Sequence, residues 1–192
     1  MAASLVRAAN SPLLRRRTPV ETVAQAFSVL GLNQCAALLT QFLTSRALPV
    51  NHPALEHFWE TSARRATAMS HIARQLYGTP PDLAHTLGLF CDVGIPLLLK
   101  GMRGYAGTLA EARARRDRNV TATEQAAHQT DHAIVGALVA RTWHLAPDLR
   151  QAIRLHHDPS VLSDTGVPES VRTLVAIAQV AEHLVHQFEQ LQ

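Results

Sequence analysis

Between Ala54 and Tyr77 the side chains Leu55, Phe58, Trp59, Ser62, Ala66, Met69, Ile72, Ala73 and Leu76 recur every three or four residues. That interval is the pitch of an α-helix, so the stretch predicts a long helix with one buried face. The interval returns in Ala133, Ile134, Ala137, Leu138, Ala140 and Trp143. It returns again in Val171, Leu174, Val175, Ile177, Ala178, Ala181, Leu184, Val185 and Phe188. Alanine and leucine dominate and β-branched runs are scarce, in a chain that is 47% hydrophobic and only 5% aromatic. Such a chain favours packed helices over a sheet. The expected fold class is all-α, a single bundle-like domain of about nine helices. Its 192 residues suffice for one domain with a sizeable core.

Helix boundaries follow from caps and breakers. Ala2 to Asn10 reads as a short amphipathic helix, stopped by Asn10-Ser11-Pro12. Thr18, Pro19 and Glu21 read as a capping box opening a helix to about Leu30, where Gly31 takes the left-handed cap. A second helix follows from about Asn33 to Arg46. Thr79 is read as the cap of a helix with Pro80 and Pro81 in its first turn, and its apolar run leads into Cys91-Asp92. A Gly-Ile-Pro turn and a second apolar segment come next. Gly101 to Asn119 reads as mainly loop, around a short helix at Thr108 to Arg116. One long helix is expected from Thr121 or Thr123 to about His144. A short helix then ends in His156-His157-Asp158-Pro159, and a last one runs from Glu169 to about Gln190.

Composition also limits function. Net charge is +3 with the 11 histidines neutral, too small an excess to argue for nucleic acid. Arg15 to Arg17 read as a solvated loop; Arg115, Arg116 and Arg118 form a candidate partner-contact surface. Cys35 and Cys91 are read as reduced thiols, which places the chain in the cytoplasm. No apolar run approaches transmembrane length, so no membrane role is expected. The first residues put apolar side chains ahead of charge, the reverse of a secretory signal. No glycine-rich phosphate loop, repeat or low-complexity tract is present.

Three places could carry chemistry: Cys91-Asp92, His132, and His156-His157. Each borders an apolar stretch near a helix end or turn. Imidazoles and a carboxylate from separate helices are how a bundle builds a metal site, and Glu182 could add an oxygen. A structural reading stays open beside it: His132 bonding between helices, His156 and His157 closing a helix C-terminus, Asp92 capping the helix that follows.

The order of signals resembles the HDOD domain, a regulatory relative of the HD and HD-GYP metal-dependent phosphohydrolases. The resemblance rests on LVRAANSP, PVETVAQAFSVLGL, FWETSARRA, LGLFCDVGIPLL, DHAIVGALVARTWHLAPDLRQAIRLHHDP and LVAIAQVAEHL, from about Leu5 to Leu184. It implies an HD-type helical domain over residues 1–192, lacking the usual N-terminal helices or forming one domain of a longer protein. It also implies a degenerate site. Where the catalytic relatives carry histidines, this chain has Thr61 and Cys91, while Asp92, His132, His156 and His157 match retained positions and Glu182 stands nearest the closing aspartate. A threonine hydroxyl is a poor ligand, and a thiolate shifts preference towards softer metals. The expectation is therefore a non-catalytic bacterial signalling domain that binds signalling proteins, neighbouring domains, a second copy or a nucleotide-like ligand. No cofactor is expected, with a divalent Zn, Fe or Mn ion as the alternative. The competing readings are a metal-dependent phosphohydrolase acting on a phosphoester or cyclic nucleotide, and a structural adaptor.

Overall fold

The computed structural model describes residues 8–10, 19–20, 22–47, 52–115 and 117–189, in two compact units, Met1–Pro49 and Val50–Gln192. Nine α-helices and two short 3-10 turns, with no strand, make up the secondary structure of the described residues.

The first unit contains α1 (Val23–Ala47), interrupted at Gly31, whose φ of 75° and ψ of 167° leave the helical region. The positive φ is one that glycine adopts without a Cβ clash, so the break falls where the sequence places it. The helix opens on a reciprocal cap: Gln25 N–H donates to Thr22 Oγ1 and Thr22 N–H to Gln25 Oε1, both at 3.2 Å. The expected box at Thr18 and Glu21 lies outside the described residues, as do the basic cluster Arg15 to Arg17 and most of the expected first helix. Ala9, Val20, Ala26 and Cys35 pack together as a small core.

The second unit begins with a 3-10 turn (Pro53–Leu55). It continues through α2 (Phe58–Ala73), α3 (Pro81–Phe90), α4 (Gly94–Gly101), α5 (Tyr105–Ala114), α6 (Val120–His128), α7 (His132–Thr142) and α8 (Pro147–Leu155). A second 3-10 turn (Pro159–Ser163) leads to α9 (Glu169–Glu189). The expected helix from Ala54 to Tyr77 is thus shorter. Pro53 favours the tight turn before it, and the chain leaves helix after Ala73, ahead of Gly78 at φ 82°. The expected Thr79 cap is replaced by Pro80, extended at ψ 123° with no side-chain cap bond. The short helix expected at Thr108 to Arg116 within the Gly101 to Asn119 segment is α5, shifted to begin at Tyr105 because Tyr105, Leu109 and Ala112 bury one face of it.

The expected single helix from Thr121 or Thr123 to His144 is two. Gln129 turns left-handed at φ 56°, and Asp131 starts α7 by accepting the Ile134 N–H at 2.7 Å. Asp131 is the N-cap that overrides the continuous helical propensity around it.

The helices pack pairwise: α2 on α3, α4 on α7, α5 on α6, α7 on α8, and α9 across α2, α3 and α8. Two glycines set the closest approaches. A Cβ on Gly88 would lie 2.6 Å from Ala66 Cα, and one on Gly94 would lie 2.1 Å from the His132 carbonyl oxygen. Leu55, Phe58, Ile95, Leu98, Tyr105 and Leu109 form a core against which Trp59 packs. Trp143 is a rim residue, 36% exposed and edge-on to Phe90. Leu138, Leu184 and Phe188, expected inside, are each about half exposed, because Leu184 and Phe188 share an outward row of α9 with Val180. The helical stretch Pro81–Gly101 is long and apolar enough to cross a membrane, but most of its apolar window is buried within the protein.

Candidate metal centre

Asp92 sits in the turn between α3 and α4. Cys91 beside it is 0% exposed and takes the core side. The Asp92 carboxylate meets Arg65 on α2. Arg65 donates Nη1–H to Asp92 Oδ2 at 2.6 Å and Nε–H to the Gly88 carbonyl at 3.1 Å. The close approach at Gly88 brings α3 within reach of that guanidinium. Burial pulls the Arg65 pKa down, but the charge and hydrogen bond of Asp92, together with the nearby Cys91 and Glu182, outweigh it and the net shift is upward. Burial pushes Asp92 up; the Arg65 charge and the imidazoles of His132 and His156 beside it overcome this and hold the carboxyl well below its usual range. The sequence expectation that Asp92 caps the following helix does not hold. Val93 occupies that position, and no side chain caps α4.

The other oxygen of Asp92 faces imidazoles. His132 Nε2 and His156 Nε2 each lie 3.4 Å from Asp92 Oδ1. His157 Nε2 lies 3.1 Å from His132 Nε2. The four side chains each offer a donor atom within 4.8 Å of the others. The break at Gln129 to Asp131 sets His132 at the start of α7. The end of α8 delivers His156 and His157, whose carbonyls accept from Gln179 at 3.3 Å and from Asn119 at 3.1 Å.

Hydrogen bonds assign the ring nitrogens. His156 Nδ1 lies 2.7 Å from the Ile153 carbonyl, which can only accept, so Nδ1 carries hydrogen. His132 Nδ1 lies 2.7 Å from Glu124 Oε2, again an acceptor. Both Nε2 atoms are thereby turned to Asp92. His156 Nε2 is buried and has no hydrogen-bond partner among the described residues. Burial pushes His132 down, but its bonds to Asp92 and Glu124 raise it to about 9. Burial, with His156 and His132 adding positive charge nearby, holds His157 well below the usual histidine value. Three imidazole nitrogens and one carboxylate oxygen make a donor set suited to a borderline divalent ion such as zinc. The unpartnered, correctly tautomeric Nε2 of His156 fits that chemistry.

Of the sequence candidates, Asp92, His132, His156 and His157 come together. Glu182 lies outside the group, its Oε2 3.9 Å from His157 Nδ1, the ring nitrogen opposite the one facing His132. Thr61 lines a cleft of about 630 Å³ that opens over Arg65, Asp92, His132 and His157. Burial pushes the Cys91 thiol up to about 12. Arg115 pairs locally, at 2.9 Å from Glu111 on the last turns of α5 and 2.6 Å from Asp117, and Arg118 lies 3.8 Å from Asp117. Arg116 lies outside the described residues. Sequence reasoning missed Arg65 and Glu124. The signal for Arg65 was its place on the inner face set by Ser62, Ala66 and Met69. Glu124 had none beyond its presence among alanines.

No protein of curated function matches this chain. Solved structures do. An HDOD domain protein of unknown function from Geobacter sulfurreducens is 23% identical with a TM-score of 0.76, over 95% of this chain and 60% of that one. A candidate phosphohydrolase from Shewanella amazonensis SB2B is 24% identical with a TM-score of 0.73, over 98% of this chain and 65% of that one. A candidate signal transduction protein from Marinobacter aquaeolei VT8 is 18% identical with a TM-score of 0.76, over 97% of this chain and 42% of that one. At these identities the likeness carries the all-helical fold, and the chain spans less than two thirds of each relative's length. The HDOD domain family itself matches residues 1–159, most of the sequence, and the chain belongs to that family.

Proposed function

We propose that this chain is a non-catalytic regulatory domain of a bacterial, cytoplasmic signalling system, which holds one divalent ion and works by binding a partner protein or a small ligand. The observation that carries the reading is the convergence of Asp92, His132, His156 and His157 donor atoms within 4.8 Å, on a carboxylate whose other oxygen Arg65 already holds. The bound ion would supply Lewis acidity and a fixed positive charge. Everything else is done by the chain. Ile153 and Glu124 orient two of the imidazoles, Asp92 supplies the oxygen, and Arg65 fixes that carboxylate.

The same residues argue against turnover. Phosphoester hydrolysis by this kind of site needs an activated water and a clamped phosphate. Thr61 presents only a hydroxyl at the cleft wall, and Cys91 buries a thiol that stays protonated. Arg65 holds Asp92 Oδ2 at 2.6 Å, which leaves Oδ1 as the oxygen facing the imidazoles. The competing reading, a phosphohydrolase, is favoured by the cleft of about 630 Å³ over the donors. It is also favoured by the Shewanella relative's naming as a candidate phosphohydrolase.

Metal analysis of untagged protein, purified without added metal, tests the ion, and a hydrolysis assay separates the two readings. One equivalent of zinc, iron or manganese is expected, lost in His132→Ala and His157→Ala. With manganese supplied, no phosphoester or cyclic dinucleotide should be hydrolysed. Measurable turnover that disappears in Asp92→Ala would replace the regulatory reading with the hydrolase.

A further inference from the structure

We infer that Glu124 is a positioning residue of this centre, fixing the ring of His132 so that Nε2 faces Asp92 and His157, and that Tyr105 holds Glu124 in turn. The inference deepens the metal-centre reading and rests on it for its effect on affinity. Glu124 is 0% exposed, and among the described residues no arginine or lysine pairs with it. A buried carboxylate is costly unless each oxygen is well bonded. Here both oxygens are used. Oε1 accepts the Tyr105 hydroxyl at 2.6 Å. Oε2 accepts two N–H groups of one residue, the His132 backbone at 3.0 Å and Nδ1 at 2.7 Å.

That double contact does more than hold a helix end. Asp131 already caps α7 through the Ile134 N–H. Glu124 adds a second constraint, on the ring itself: with the backbone N–H and Nδ1–H on one oxygen, the imidazole cannot flip without breaking a buried bond. Nε2 is then the only nitrogen of His132 that can reach the donor group. Tyr105, 0% exposed and packed among Leu55, Phe58, Ile95, Leu98 and Leu109, keeps the carboxylate from swinging away. Carboxylate–imidazole pairs of this kind both orient a metal-binding ring and make its far nitrogen a better donor.

The test uses the full chain as wild type, Glu124→Ala, Glu124→Gln and Tyr105→Phe. Zinc affinity is measured by competition with a chromophoric chelator, and the His132 Nδ1 proton is followed in long-range proton–nitrogen NMR spectra of the metal-free protein. Wild type should show a slowly exchanging Nδ1 proton. Glu124→Ala should lose it and bind zinc roughly 10- to 100-fold more weakly. Glu124→Gln keeps an acceptor oxygen, so it should keep the proton and fall between. Tyr105→Phe should weaken zinc less than Glu124→Ala. Wild-type zinc affinity in Glu124→Ala, or a His132 ring without an Nδ1 proton in the wild type, overturns the inference. Where Glu124→Ala fails to fold, unchanged affinity in both Glu124→Gln and Tyr105→Phe overturns it instead. If wild type takes up no zinc, the metal-centre reading fails by itself, and the Nδ1 proton still decides whether Glu124 positions His132.

Discussion

At the scale of single residues, the Arg65–Asp92 pair fixes the centre. Arg65 is 5% exposed, and among the described residues its charge is matched at hydrogen-bond distance by the Asp92 carboxylate. Replacing one member of a buried pair leaves the other charge stranded, which costs more than the pair contributes. Asp92→Asn should therefore lose about 3–5 kcal/mol of stability in urea denaturation; a loss under about 1 kcal/mol, typical of a surface pair, would show that solvent reaches Arg65. His85 gives a second residue-scale expectation. Burial lowers its pKa from 6.5, with Asp82 opposing. The unfolded chain therefore takes up this proton more readily, so the stabilising contribution is present above about pH 6.5 and is lost as pH falls through the lower folded value. His85→Gln should flatten the decline in stability below that pH in thermal melts. The sequence named Asp92, His132, His156 and His157 because imidazoles and acids beside apolar runs are visible in one dimension. It did not name Arg65, because Arg64 and Arg65 are chemically alike and only the rotation of α2 sends one to Glu60 and the other inward.

At the scale of elements, the centre is made by interruptions rather than by helices. The turn after α3 presents Asp92, the break before α7 presents His132, and the end of α8 presents His156 and His157. Helical periodicity reports which faces are apolar, so the existence of most helices was legible. It is blind to a break inside a continuous propensity, which is why α6 and α7 read as one helix until the Asp131 cap was seen in place. Gly94 is where two of these interruptions meet. Its absent side chain lets the start of α4 press on the start of α7, with a would-be Cβ 2.1 Å from the His132 carbonyl and 2.9 Å from the Gly136 nitrogen. Both are backbone atoms that no rotamer change can move. Gly94→Ala should destabilise by at least the roughly 1–3 kcal/mol of ordinary overpacking. It should also weaken metal uptake, because the shift parts Asp92 from His132. Gly107→Ala is the matched control, since a Cβ there meets nothing within 4 Å.

At the scale of the molecule, the all-helical class was legible from composition and period, and the family from the order of loose motifs. The division into two units was not, because a contact boundary at Pro49 leaves no mark beyond two prolines, Pro49 and Pro53, that read equally well as an ordinary turn. That division has a functional consequence. Every donor, the Arg65 clamp, the Glu124 and Tyr105 supports and the cleft lie in Val50–Gln192. This unit also has its own core, of Leu55, Phe58, Ile95, Leu98, Tyr105 and Leu109. A unit with its own core and these ligands is expected to assemble the site by itself. The fragment from Val50 to Gln192 should accordingly unfold in a single cooperative transition and bind zinc with the affinity of the full chain. An ion that binds the folded state alone, at about 1,000 times its Kd, should stabilise fragment and full chain equally, by about 4 kcal/mol. A fragment that folds but has lost zinc binding would assign the residues before Val50 a direct part in the centre, and the regulatory surface would then have to be sought there.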